Sequence, residues 1–293
     1  MGFESFHPAI NFLFFLSVIS SAVGFDQPVF LAISCLCAFS YSVKRNGWNA
    51  VIFNLCLIPL AAAFTMYYIE YHHFGITVLS RNFIGNNMTL ESLLQGIVLS
   101  AQLAAAVMWC SCLFSVFTAD KIVYLLGRVS PKISLFLSIL LRLVPRIKIQ
   151  AKKLHSARQS VGRGIHQGTL LQRFVNGVKI FSMLITWVLD SISTLSDSMR
   201  SRGYSLKGRT AFSIYRFDNR DRSLVIAMFT CLTGLIMAVL LGQTDMVFDP
   251  NIQMAPISSM SFPFYFVYTV LCLLPLGLEL YSRWSFARGR ASL

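Results

Sequence analysis

A chain of 293 residues that is 55% hydrophobic and only 13% charged is an integral membrane protein by composition, which excludes a soluble globular domain. Its formal net charge of +13 is concentrated in one segment: Ala119 to Arg222 holds nineteen Lys/Arg and five Asp/Glu, leaving six and seven for the rest. The cations there are interleaved with bulky apolar residues, which favours a membrane surface and protein partners and argues against nucleic acid.

In chain order, Asn11–Gly24 and Pro28–Val43 are two apolar runs split by Phe25-Asp26-Gln27-Pro28. Each is short against the roughly 20 residues of a straight span, so each crosses with residues borrowed from its flanks or the two form a re-entrant pair. Crossing is favoured, because Asp26 and Lys44-Arg45 then fall on opposite sides. Trp48–Ile69 is a third span that contains Pro59. Glu70–Glu91 is a polar loop with a single cation, Arg81. Ser92–Phe117 is the fourth span, and its Ala101, Ala104 and Ala105 permit close helix contact.

The basic segment follows. Its first helix keeps Ile133, Phe136, Leu137, Leu140, Val144, Ile147, Ala151 and Leu154 on one side, with Arg142, Lys148, Lys152 and Lys153 mostly on the other. Pro145 removes a backbone donor about one turn beyond Arg142 and is expected to kink the helix. An arginine amid these residues fits poorly in a lipid-facing span, so Arg142 and Pro145 are read as structural elements of a helix on the membrane surface or packed on its neighbours; the alternative is a span with one buried arginine. In the second helix Phe174, Val178, Phe181, Ile185, Val188, Ile192, Leu195 and Met199 alternate steps of four and three, one continuous stripe. Asp190 and Asp197 lie off it. That stripe must be covered by lipid, by the other helix or by a partner. Gly162, Gly164 and Gly168 are read as a flexible connector.

Ser223–Gly242 is a fifth span, Gln243–Ser261 a loop with Asp245 and Asp249, and Phe262–Tyr281 a sixth, before Arg283, Arg288 and Arg290. With the N-terminus inside, the loops 44–48, 119–222 and 283–293 are cytoplasmic and cationic, and the outer loops hold Arg81 alone. The expectation is an all-α integral membrane protein of about six transmembrane helices plus a cytoplasmic pair of long, amphipathic, basic helices, with both termini cytoplasmic. Its divisions are 1–118 (four spans), 119–222 (the basic segment) and 223–293 (two spans).

Catalytic chemistry is not written in this sequence. It holds no Gly-x-x-x-x-Gly-Lys-Ser/Thr loop, no Ser/His/Asp arrangement and no paired carboxylates, so no enzyme activity and no cofactor are expected. Cys35, Cys37, Cys56, Cys110, Cys112, Cys231 and Cys272 lie in apolar runs, and the two Cys-x-Cys pairs lack a nearby histidine or second pair, so they read as packing residues. His72-His73 reads as a loop pair rather than a metal site. No basic n-region with a cleavage site opens the chain, so no removable signal peptide is expected.

Arginine recurs at the end of both basic helices, in Ser156-Ala157-Arg158-Gln159 and in Met199-Arg200-Ser201-Arg202-Gly203. A guanidinium on a rigid helix end can grip a carboxylate of another protein with two parallel hydrogen bonds. Two such ends suit two copies, or two homologues, of one partner. Gly203 suits the left-handed position that stops a helix at Arg202. Gln159 does not, and the nearest residues that do are Gly162 and Gly164. The first helix is therefore expected to run past Gln159, with Arg158 leaving its side about one turn before the end.

These motifs resemble those of the transmembrane T component of energy-coupling factor (ECF) transporters, a family also found in cobalt and biotin uptake. The similarity runs from Phe114-Ser115-Val116-Phe117-Thr118 through Arg142-Leu143-Val144-Pro145 and Ala157-Arg158. It continues through Ser198-Met199-Arg200-Ser201-Arg202-Gly203-Tyr204 to Arg209-Thr210, and His7-Pro8 looks like the family's opening. Two positions depart from the pattern: Gln159 stands where glycine is usual, and Ser201 where alanine is. Phe262–Tyr281 extends beyond the commonest length. The resemblance implies a coupling subunit that links two ABC-type ATPases to a substrate-binding membrane subunit in a bacterial or archaeal cell membrane, for uptake of a vitamin or a transition-metal ion. It implies ATPase docking at Ala157, Arg158, Gln159, Ser201, Arg202 and Gly203. Contact with the substrate-binding subunit is then expected at Phe181, Ile185, Val188 and Ile192 of the stripe. The alternative is a membrane insertase or anchoring protein whose basic hairpin meets ribosome or nascent chain. Matched docking points discriminate against it.

Overall fold

The structure, a computed structural model, describes residues 3–72, 74–81, 87–164, 166, 167, 169–204, 215, 217–248, 252–254 and 259–291. His73, Gly168, Arg209-Thr210 and Asp249 lie outside the described residues. Among those described, nine α-helices follow one another: α1 (Pro8–Gly24), α2 (Pro28–Asn46), α3 (Trp48–Tyr71), α4 (Leu90–Val116), α5 (Ala119–Val129), α6 (Pro131–Ser160), α7 (Leu170–Ser201), α8 (Asn219–Leu240) and α9 (Phe262–Ala291). The loops read as irregular contain two small antiparallel hairpins, β1 (Val78–Arg81) with β2 (Asn87–Thr89) and β3 (Met246–Val247) with β4 (Gln253–Met254). They are too short to alter the all-α class.

Local chemistry sets the helix starts. Pro8, Pro28 and Pro131 each stand in the first turn, where a missing N–H costs nothing. His7 caps α1, its Nδ1 accepting from the Ala9 amide at 3.3 Å. Gly47, at φ 66°, turns the chain from α2 into α3.

The chain divides into two compact units, residues 1–118 with 215–293, and residues 119–214. In the first unit, α1, α2, α8 and α9 bring helix ends together at two poles, the second of which lies against the middle of α4. At one pole Arg45 pairs with Glu4 and donates to the Ser115 carbonyl at 3.2 Å, Lys44 lies 3.9 Å from Glu279, and the His7 amide donates to Asp221. At the other, the amides of Asp26 and Gln27 both donate to the Thr244 carbonyl, and Gln102 Nε2 donates to Asp26 Oδ1 at 2.8 Å. Glu4, just before α1, thus meets Arg45, near the end of α2, so the two helices form an antiparallel pair.

Between the poles lies an aromatic core. Phe3, Phe14, Phe15, Phe30, Tyr41, Trp109 and Tyr268 are fully buried, mostly in edge-to-face contact. Trp109 Nε1 donates to Ser34 Oγ at 3.1 Å and Gln27 Nε2 donates to the Tyr265 hydroxyl, whereas the buried Tyr41 hydroxyl finds no partner among the described residues. Cys37, Cys112 and Cys272 are free and buried in this core. Helix α9 supplies Tyr265, Tyr268, Leu271 and Cys272 to it, so the sixth expected span is a wall of the unit and no appendage.

Among the described residues, five helices are long and apolar enough to cross a membrane: α3, α4, α7, α8 and the part Phe262–Ser285 of α9. Helix α1, at 17 residues, spans about 26 Å, and α2 ends in Lys44 and Arg45, so both fall short of that measure. Helix α7, expected at the membrane surface, meets it.

The second unit is α5, α6 and α7. Sequence reading missed α5, although Ile122, Val123, Leu125 and Leu126 precede a Ser130-Pro131 break. It packs on α6, where Ser134 Oγ donates to the Val123 carbonyl at 2.9 Å. Interior is scarce: α6 has no buried residue, and α7 buries only Ile180.

Candidate functional site

Both basic helices end in the same cap. Helix α6 runs through Gln159 to Ser160, and Gly162 takes the left-handed position at φ 72°. Its amide donates to the Gln159 carbonyl at 3.1 Å, and the Arg163 amide to the Arg158 carbonyl at 2.9 Å. Helix α7 ends likewise: Gly203 sits at φ 74°, its amide donating to Arg200 and that of Tyr204 to Met199. Each is a Schellman closure that satisfies carbonyls left open by the helix end. The expected run past Gln159 is what the structure has, since no residue other than glycine adopts a positive φ among those described.

The shared cap puts the arginines in unequal places. Arg202 is the cap residue itself and is exposed; Arg158 lies three residues before its cap, Val161, and is half-buried. Three residues amount to about 4.5 Å of rise and about 60° of net rotation. Arg158 also shares a face with Ile147, Ala151 and Leu154, all half-buried. Among the described residues neither arginine has a carboxylate within ion-pair distance. Ala157, Gln159 and Ser201 are exposed around them, and Gly203 is half-buried.

The segment joining the helices is built rather than slack. The Gly164 amide donates to Gln167 Oε1 at 2.9 Å, and Asn176 Nδ2 donates to the Gly164 carbonyl at 3.3 Å. Gly164 packs so closely that a Cβ there would lie 3.4 Å from Gln159 Cα. Thr169 and Gln172 close a capping box on α7, a Thr-x-x-Gln signal legible in the sequence. At Gly162 a Cβ would meet nothing within 4 Å, so the cost of adding one is conformational alone. Gly162→Ala is therefore expected to cost about 1–2 kcal/mol and to fray the turn that carries Arg158. Hydrogen exchange should quicken at residues 158–163 and stay unchanged in the aromatic core of the other unit.

On α7 the sequence stripe is the outer face. Phe181 is 63% exposed, Ile185 and Ile192 each 44%, and Val188 is half-buried at its edge. Buried Ile180 and half-buried Leu184, Trp187 and Ser191, again in steps of four, three and four, form a second line that sequence reading passed over. The stripe is thus not consumed by packing on α6. Arg142 and Pro145 are both exposed on α6, which continues as helix through Pro145. Among the described residues no group of three His, Cys, Asp or Glu could hold a metal ion.

A helix pair of this kind, capped at two arginines, lies within the residues that match the cobalt transport protein CbiQ family model, 5–212. The chain belongs to the CbiQ family. Among curated relatives, it is similar to the energy-coupling factor transporter transmembrane protein EcfT of Lactobacillus helveticus, 32% identical over 107 residues, or 36% of this chain and 38% of the relative. It is also similar to EcfT 1 of Listeria monocytogenes, 29% identical over 105 residues, covering 36% of this chain and 40% of the relative. The chain spans about two fifths of the length of these curated relatives. The family likeness read from the arginine motifs is borne out. The CbiQ match takes in α1–α7 and both caps; α8 and α9 lie beyond it.

Proposed function

We propose that this CbiQ-family chain is the transmembrane coupling subunit of an ECF-type importer. Two ABC-type ATPases dock on the ends of α6 and α7, at Ala157-Arg158-Gln159 and Ser201-Arg202-Gly203, and their ATP-driven motion passes through the helix pair. The observation that carries this is the pair of identically capped helices, each presenting an arginine that has no ion-pair carboxylate among the described residues. A guanidinium held at a fixed helix end is suited to a bidentate grip on a partner carboxylate.

The outer face of α7, with Phe181, Ile185, Val188 and Ile192, takes the substrate-binding membrane subunit, and the bilayer covers the apolar surface around it. A continuous exposed apolar stripe of this length marks a surface that a partner or lipid covers. The cargo is a vitamin or transition-metal ion held by that subunit; this chain supplies no catalysis. The pole of the first unit that carries Lys44, Arg45, Arg220, Arg222 and Arg283 faces the cytoplasm, with the N-terminus, by the positive-inside rule. Purification of the tagged full chain from its native membrane tests the assignment. Two P-loop ATPases should accompany it; ribosomes in their place would establish the insertase reading.

A further inference from the structure

We propose that one edge of α6 binds the headgroups of anionic phospholipids in the cytoplasmic leaflet, through a row formed by Arg142, Arg146 and Lys153. Leu135, Arg142, Arg146, Ile149 and Lys153 follow one another in steps of seven, four, three and four, so they share one face of the helix within about 60°. All five are exposed, Ile149 at 58%. The row leaves α6 about 120–160° round the axis from Arg158, so it is separate from the arginine at that helix end.

Charge complementarity selects an anionic occupant. From residue 121 to residue 189 the chain holds twelve Lys/Arg and no Asp or Glu, and α6 carries seven of those cations. Among the described residues no ion pair engages Arg142, Arg146 or Lys153. Arg142 and Arg146 stand four residues apart, a like-charge pair that weakens a helix, so helix stability does not account for them. An external anion does.

The apolar residues on the same face select lipid over an acidic protein surface. Helix α6 is 30 residues long, yet it is not among the five described helices apolar enough to cross a membrane, and none of its residues is buried. A helix with Lys/Arg beside exposed bulky apolar side chains suits the plane of a leaflet surface. There the three cations reach phosphates while Leu135 and Ile149 reach the acyl boundary. The cationic segment is cytoplasmic by the positive-inside rule, which puts α6 at the leaflet that carries a negative surface potential.

Hydrogen exchange of the purified full chain in nanodiscs tests this, with phosphatidylcholine alone compared with an equal mixture of phosphatidylcholine and phosphatidylglycerol. The anionic mixture is expected to slow exchange over residues 142–153 at least about fivefold, the factor that one cation near an anionic leaflet contributes, and to leave the aromatic core of the first unit unchanged. Arg142→Gln with Arg146→Gln should abolish the difference, and Arg142→Lys with Arg146→Lys should keep it. Lys148→Gln with Lys179→Gln, which removes the same charge elsewhere, should keep it too. If the glutamine pair does not stay monodisperse, salt of about 1 M should remove the difference in the unchanged chain, since exposed charges are then screened beyond about 3 Å. Equal exchange in the two lipids would overturn the proposal, as would protection that survives the glutamine pair or the salt. Equal loss in the Lys148 and Lys179 variant would show total charge alone and would also overturn it. Protection that arises only on adding the ATPases, and alike in both lipids, would assign the row to an acidic protein face and overturn it as well. The lipid comparison uses the chain without its partners, so its failure leaves the proposed coupling function standing.

Discussion

Replacing Arg158 and Arg202 together by Glu is expected to leave the chain in the membrane and strip it of its ATPases. Breaking one buried charge pair at an interface costs about 2–5 kcal/mol, or roughly 30-fold to several thousand-fold in affinity. Two reversals exceed the affinity of most transient complexes. Neither residue supports the fold through an ion pair among the described residues, so expression and thermal stability should hold. Copurification of the ATPases at wild-type level would refute the docking role. Single alanine variants separate the two ends. Arg202 is exposed at a true terminus, whereas Arg158 leaves the side of α6 and is half-buried. Arg202→Ala should therefore harm transport more than Arg158→Ala, and equal losses would refute the asymmetry.

The second large effect is expected on the outer face of α7. Ile185→Asp puts a carboxylate where an apolar partner surface closes over the helix. Burying the part of Ile185 still exposed is worth about 1 kcal/mol, and desolvating the charge adds to that loss. Capture of the substrate-binding subunit should fall by at least about 10-fold while ATPase docking survives. Ile185 is the cleaner probe because it is 44% exposed; Val188, half-buried, serves α7 packing as well. Joint loss of both partners from Ile185→Asp would mean that the helix pair had come apart, and the assignment of the stripe would fail with it.

The sequence by itself determined the class, the stripe and the caps, because each rests on short-range chemistry. Apolar runs bounded by proline and glycine mark helices within a few residues, and charge asymmetry separates one end of each span from the other. That Gln159 resists the left-handed turn follows from its Cβ alone, which is why the end of α6 is legible in the sequence. Thr169-Leu170-Leu171-Gln172 and Ser130-Pro131 carried equally local signals, and α5 and the capping box were there to be read. Tertiary structure decided what depends on residues far apart in the chain. It joined α8 and α9 to α1–α4 around the Trp109 and Tyr268 core, where bulky rings from α1, α2, α4 and α9 fill one volume. It also chose which of two apolar lines on α7 turns inward. Phe181-Ile185-Ile192 and Ile180-Leu184-Trp187 repeat with the same period, so periodicity cannot rank them; only the packing within the unit leaves the first exposed and buries Ile180.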